Sequence, residues 1–323
     1  MGVTANALET YDSTMIRENL QEALISISPT DNIFMSSVGS KSVDNTLFEW
    51  GAVSLQTAAN NRAMEGEVAP SVNTATMPVR LSNYTQISTK VVETTSTAQA
   101  SNGVGSHTTQ AKQIAYKLKE LRRDQEKMML DNVAAVAGSS GNARTSAGMA
   151  AFIRSNGQRG TGGAAPTLSG TTAGYPNAAA TDASTSNQRA ITEAHLKSVI
   201  KDAWEAGAEP SMVLCGAFNK TAISAFTGNA TKYQEVDGKK LTAAIDIYVS
   251  DFNTVSIVPA RQIRARDVIV IDPSYARICY LQNAKQEPLA KTGLADRTMI
   301  SVEYGLQVDT EEAHGIIADC TTA

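Results

Sequence analysis

Apolar residues at helical and alternating spacings divide the 323-residue chain into an ordered series of elements. Between Thr10 and Ile27, Ile16, Leu20, Leu24 and Ile27 recur at helical spacing and predict a short amphipathic helix, which Pro29 stops. A helix ahead of any core element has two options: it packs on its own domain, or it is an arm that reaches a neighbour. Asp44 to Gln56 is rich in strand formers, with Thr46, Phe48, Trp50 and Val53. The polar stretch Thr57 to Ala75 shows no helical stripe. Met77 to Val92 then alternates, with Val79, Leu81, Asn83, Thr85 and Ile87 on one side and Arg80, Ser82, Tyr84, Gln86 and Ser88 on the other. Two long strands joined by a polar loop predict an antiparallel ribbon. Polar residues on both faces exclude it from a private core. A two-stranded ribbon alone is marginal in water, so support from outside the subunit is expected.

The clearest helix is predicted from Ser106 to Val136. Ile114, Leu118, Leu121, Met128, Val133 and Val136 form an apolar stripe, broken at Gln125, on a rod roughly 45 Å long. Its other face carries Lys112, Lys117, Lys119, Arg122, Arg123 and Lys127, interleaved with Glu120, Asp124 and Glu126, as on a solvated or inter-subunit surface. Gly138 to Gly148 is a small-residue break. Residues 154–188 are so poor in large apolar side chains that they read as a surface insertion. Order then resumes. Thr192 is placed to cap a helix to Ala206, with Ile191 and Leu196 as a hydrophobic staple and Gly207 as the stop. A strand follows from Met212 to Cys215. A second helix, capped by Asn219, runs to Phe226, and Asp237-Gly238 is a turn signal. Strands are predicted at Ile245–Val249, Val255–Val258, Asp267–Ile271 and Ala276–Leu281. Gln286-Glu287-Pro288 is expected to break the sheet before a last long strand, Thr298 to Val308, and a short one, His314 to Ala318.

Composition narrows the function. The hydrophobic fraction of 42% is enough to bury a core, and no apolar run approaches the length that spans a bilayer. A net charge of −4 without a basic stripe argues against sequence-specific nucleic-acid binding. It does suit a container, because a mildly acidic wall repels packed DNA. Cys215 and Cys279 lie in strand-like apolar runs and read as buried thiols. Cys320, three residues from the end, reads as exposed. No phosphate-binding loop or nucleophile elbow is present. His107, His195 and His314 have no metal-ligand spacing beyond the single Glu311…His314 pair. No catalytic, cofactor or metal residues are therefore assigned.

The order of elements and several local stretches resemble the tailed-phage major capsid (major head) proteins, whose fold is named for the Hong Kong phage in which it was described. The stretches are Asn45-Thr46-Leu47-Phe48-Glu49-Trp50, Glu65-Gly66, Arg80 to Ile87, Leu121 to Lys127 and Ala143 to Gly148. The resemblance implies an α+β fold. It has an N-terminal arm (1–41), an extended β-hairpin loop (42–96), a peripheral domain with a long spine helix (97–142 and 283–323), and an axial α/β domain (143–282) carrying the insertion 154–188. It further implies hexamers and pentamers closing into a shell around double-stranded DNA, bound without sequence preference. Assembly would occur in the host cytoplasm and the product would be the virion capsid.

Trp50 is expected to anchor the base of the loop, either toward a neighbour or by packing within one subunit. Arg62, Glu65, Glu67 and Arg80 are candidates for inter-subunit ion pairs. Only a short arm precedes Pro29, which implies a separate scaffolding protein beside a portal and a possible decoration protein. Residues 42–89 contain no lysine, so no covalent cross-link from the loop is expected. The rival readings are a nanocompartment shell of the same fold, a soluble α/β enzyme, and a phage tail or adhesion protein.

Overall fold

The computed structural model of the chain describes residues 31–62, 64–66, 68, 75–101, 109–226, 247–291 and 293–322. The predicted N-terminal helix, Glu67, His107 and the Asp237-Gly238 turn lie outside them.

One four-stranded sheet is built around β13 (Ala295–Val308), in the order β1-β12-β13-β4. Its partners are β1 (Gly39–Ser42), β12 (Ala276–Leu289) and β4 (Gln86–Thr95). Along β13, Ile300, Val302, Tyr304, Leu306 and Val308 point to one side and are all buried in the main core. Against them lies α3 (Gln110–Leu130), which presents Leu121, Gln125, Met129 and Leu130. Short helices flank this layer: α1 (Ile33–Ser37), α2 (Ser96–Ala100) and α4 (Met149–Phe152).

A six-stranded sheet has the order β5-β14-β11-β8-β10-β9. Its strands are β5 (Gly157–Gln158), β8 (Met212–Cys215), β9 (Ile247–Val249), β10 (Thr254–Pro259), β11 (Val268–Ile271) and β14 (Gly315–Ile317). On one face, α5 (Glu193–Glu205) and α6 (Ala217–Ser224) bury Val213, Val255, Ile257, Val268 and Val270. Two pairs complete the set: β2 (Leu47–Ala52) with β3 (Val79–Tyr84), and β6 (Thr167–Leu168) with β7 (Pro176–Ala178).

Several local expectations hold. Thr192 caps α5 in a capping box with His195, the staple residues Ile191 and Leu196 are both buried, and Gly207 takes φ +92° to stop the helix.

Others are corrected by tertiary contacts. The spine helix stops at Leu130, six residues before Val136. Beyond it Asn132 bonds the backbone of Ala180 in both directions (2.7 and 2.9 Å), and Val133 O accepts the Gly148 N–H. Gly148 itself sits where a Cβ would come within 2.1 Å of Asp131 O. Gln125, which seemed to break the stripe, lies on the buried face with Glu126. Asn219 is no cap: Gly216 takes that place, and Asn219 is buried inside α6 with its Nδ2 donating to Ala265 O (2.8 Å).

Gln286-Glu287-Pro288 does not break the sheet either. It pairs with Met299 and its neighbours on β13. Beyond Tyr280, β12 has no strand on its outer side among the described residues, so Pro288 removes no donor that a ladder needs. The 154–188 segment is woven in rather than added on. Pro176 O accepts from Ala135 N, and Asp319 accepts from Gly160 N (3.1 Å) and Ala183 N (2.9 Å). The same anchor draws in the C-terminal end, so Cys320 is fully buried. Finally, β12 joins the spine sheet from Ala276, and β14 joins the six-stranded sheet, so both sheets cross the boundaries expected at 282/283.

Candidate functional site: an exposed loop on a buried root

The ribbon expected from 44 to 92 is two structures. Up to Tyr84, β3 pairs with β2 in register from Leu47↔Tyr84 to Ala52↔Val79. After Thr85 the chain leaves that pair, and β4 runs along β13 for ten residues. The expectation that the ribbon lies outside any private core fails at this junction, where Leu81, Ser82, Asn83 and Thr85 are all buried.

The reason is a polar network. Asn83 Nδ2 donates to Leu306 O (2.7 Å), and Asn83 Oδ1 accepts from Ala147 N (3.0 Å). Thr85 Oγ1 donates to Glu303 Oε1 (2.7 Å), and the same carboxylate is ion-paired with Arg144. Arg144 Nε also donates to Thr85 O (3.1 Å). Neither Asn83 nor Thr85 was singled out as a site residue. Their sequence signal was their phase: both fall on the same side of the alternation as Leu81.

Trp50 completes the root. Its ring stacks on Phe48 (5.8 Å) and tilts toward Phe152 (6.2 Å), inside its own subunit. Phe48 in turn packs over Gly305, where a Cβ would come within 2.7 Å of the ring.

Between β2 and β3 the chain changes character. Val53, Leu55, Met64, Val68 and Met77 are all exposed, Leu55 and Val68 by 84% and 87%. Arg62 and Glu65 are exposed and ion-pair with none of the described residues. Arg80 pairs with Glu49 across the ribbon (3.4 Å), within the subunit and with both side chains substantially exposed. The structure therefore brings Trp50, Arg80 and Glu49 together at the ribbon and leaves Arg62 and Glu65 beyond it.

A second junction ties the entering chain to the spine. Glu126 on α3 accepts from Phe34 N (2.7 Å) and Met35 N (2.9 Å) at the start of α1. Burial raises its carboxyl above the usual range, and the backbone N–H groups draw it partly back. Lys90 on β4 pairs with Asp124 (2.7 Å), fixing the sheet to the same helix.

The reactive side chains have structural settings. Burial pushes the thiols of Cys215 and Cys279 up to about 11 and that of Cys320 to about 12, so none is a thiolate nucleophile at neutral pH. His314 is fully buried, accepts from Asp272 N through Nδ1 (3.3 Å), and is pulled down to about 4 by burial. Asp267 is buried beside Arg264 (2.9 Å), and desolvation outweighs that cation to raise it to about 6. Among the described residues no cluster of three or more His, Cys, Asp or Glu could hold a metal ion, and no helix is long and apolar enough to cross a membrane.

The family model described as SU10 major capsid protein matches residues 3–321. The chain belongs to that family. That family is one of capsid shell subunits, a structural family rather than a family of enzymes. Among individual relatives, the major capsid protein of Escherichia phage Phieco32 is 31% identical over 131 residues. That match covers 38% of this chain and about a third (35%) of the length of the relative.

Solved structures carry the fold. A structure from Mycobacterium phage Bobi has a TM-score of 0.61 at 10% identity, covering 97% of this chain and 98% of that one. The holo-SrpI encapsulin complex of Synechococcus elongatus PCC 7942 has 0.57 at 10% identity, covering 98% and 97%. The Phage G gp27 major capsid protein, solved with gp26 decoration proteins, has 0.55 at 10% identity, covering 99% and 100%. At such identities these likenesses concern the fold, which is the Hong Kong-type capsid fold expected from the sequence. Shells of phages and of nanocompartments share it. The family match favours the phage capsid.

Proposed function

We propose that this major capsid protein assembles as hexamers and pentamers into the closed shell around a double-stranded DNA genome, with the loop of each subunit lying across its neighbour. The observation that carries this reading is the stretch from Val53 to Met77, whose described residues expose five large apolar side chains beyond a root buried in the subunit. A private fold gains nothing from such exposure, whereas a neighbour's surface would remove it from water. In this reading the layer built on α3 is the peripheral domain and the six-stranded sheet is the axial domain. Arg62, Glu65, Glu67 and Arg80 contact the next subunit, while Trp50 holds the loop's base from within.

Assembly takes place in the host cytoplasm with a separate scaffolding protein and a portal, and a decoration protein is a further candidate partner. DNA is enclosed without sequence-specific contacts. Because residues 42–89 contain no lysine, cohesion across the loop is non-covalent.

The test is to express the chain alone and with a co-expressed scaffolding gene, then image the particles by electron microscopy. Closed shells, tubes or capsomer rings are expected. A well-behaved monomer or dimer under both conditions overturns the proposal. Correctly sized shells from the chain alone overturn the separate scaffold, and a ladder of covalent multimers from mature heads overturns the non-covalent loop.

A further inference from the structure

Residues 164–181 form a hairpin that runs from the six-stranded sheet to the root of the extended loop. Ala164 pairs with Thr181, Thr167 with Ala178 and Leu168 with Pro176. Near the tip Ser169 N donates to Tyr175 O (2.9 Å), and Gly170 N donates to Ala173 O (3.0 Å) to turn the chain. The hairpin is held at both ends, and each end belongs to a different part of the molecule.

At the neck the carboxylate of Asp319 acts as a clasp. Its Oδ2 accepts from Gly160 N (3.1 Å), and its Oδ1 accepts from Ala183 N (2.9 Å) and Arg266 Nη2 (2.9 Å). Asp319 is buried and takes φ +60°, in the left-handed region. The fit is close: a Cβ at Gly163 would come within 2.6 Å of Asp319 Oδ2. Asp319 lies two residues beyond β14 and Arg266 two residues before β11, so the clasp is built on the six-stranded sheet.

At the tip Gly174 reaches the ribbon. Its N–H donates to Arg80 O (2.8 Å) and its carbonyl accepts from Ser82 N (3.0 Å), so it bonds β3 on the edge away from β2. The Tyr175 ring then meets Tyr84 edge-on at 5.2 Å. Gly174 takes φ +89°, and a Cβ there would lie 2.1 Å from Ser169 Oγ, so this contact requires glycine. A two-stranded pair such as β2–β3 is marginal by itself, and a partner on its second edge bears on where it lies. Between the two ends, Asn132 and Ala135 hold Ala180 and Pro176 against the exit of α3, as a pivot. From Gly174 to Ala183 the strand spans at most about 30 Å.

We propose that this hairpin is a lever between the two sheets. Closure of the Asp319 clasp sets the position of the ribbon from which the loop departs, and displacement of the ribbon strains the clasp. Coupling of this kind is reciprocal. It lies within one subunit and holds whether or not the loop crosses to a neighbour. Where the loop does cross, which rests on the function proposed above, a load on the loop reaches the six-stranded sheet through the hairpin.

Hydrogen exchange read by mass spectrometry on dispersed subunits of the full chain tests the lever. Asp319→Asn keeps the left-handed backbone, which Asn adopts readily, but offers one acceptor oxygen in place of two, so a neck N–H loses its partner. Peptides covering 79–84 are expected to exchange roughly fivefold or more faster than in the parent, while those of α3 keep the parent's rate. Gly174→Ala acts from the other end and is expected to speed exchange at Gly160 and Ala183 by a similar factor. If Asp319→Asn accelerates 157–187 and leaves 79–84 at the parent's rate, the clasp is a local brace and the proposal is overturned. A uniform acceleration that includes α3 overturns it too, as do unchanged neck amides in Gly174→Ala. The measurement needs no shells, so its failure is separate from a failure to assemble.

Discussion

The loop and its root differ by only a few residues in sequence but obey opposite rules. The side chains of Asn83 and Thr85 are buried and partnered, and the partners come from α4's approach (Arg144, Ala147) and from β13 (Glu303, Leu306). From Val53 to Met77 apolar side chains face solvent. The lesson is that polarity alone does not separate core from surface here. The root is a subunit's private business, whereas the reach is finished by something else.

Cutting the root should destabilise the subunit most. Asn83→Ala leaves the buried Ala147 N–H and Leu306 C=O without partners, and is expected to lower subunit stability by about 3 kcal/mol in urea unfolding. Leu55→Ser, in the reach, is expected to leave that stability within about 0.5 kcal/mol while abolishing shell formation under the electron microscope. If both variants lost the same stability, the division would be wrong.

Acid should act on the body and not on the reach, through two buried groups of opposite sign. The pKa of His314 falls to about 4 in the fold. Its contribution is present above its unfolded value near 6.5 and is lost as pH falls through 4, a change of about 3 kcal/mol. Asp267 is raised to about 6. Its contribution is present below about 3.8 and lost as pH rises through 6, a change of similar size. The two oppose each other between pH 4 and 6.5, so the parent's urea midpoint is expected to vary little there. In His314→Asn the Asp267 part is no longer opposed, and the midpoint should rise as pH falls from about 6 to about 4. A midpoint that falls instead would show that His314 is not the buried neutral group described.

The smallest effect is expected at Arg80→Ala. The pair with Glu49 is exposed, so subunit stability should change by less than about 0.5 kcal/mol. A loss of shell yield at unchanged stability would assign Arg80 to the inter-subunit surface, and unchanged yield would confine it to the ribbon.

Legibility in the sequence followed the range of the forces. The α5 helix, its Thr192 cap and its Gly207 stop are set by residues within one turn of each other, and they were predicted to the residue. The buried runs of β8, β11 and β13 were legible because burial on both faces or one leaves a period-two or continuous apolar trace. The end of α3 was not, because Asn132 and Gly148 stop it through hydrogen bonds to Ala180 and Val133. The 154–188 segment looked superficial because its burial is of small residues and backbone, satisfied by Asp319 more than 130 positions away. At the root, Asn83 and Thr85 carried the right phase but the wrong polarity. Distant partners offset the cost of their burial: Ala147 and Leu306 for Asn83, and Glu303 with Arg144 for Thr85.

The outer half of β12 has a different kind of consequence. From Asn283 to Pro288 it is exposed and unpaired on one side among the described residues, and it carries Lys285 and Pro288. A bare strand edge invites copies of a protein to zip together into ribbons, a hazard that grows with concentration. A shell subunit accumulates to high local concentration by design, so it needs its unwanted contacts closed as firmly as its wanted ones are open. A charged side chain and a missing N–H on that edge deny the polymer that would compete with the closed particle.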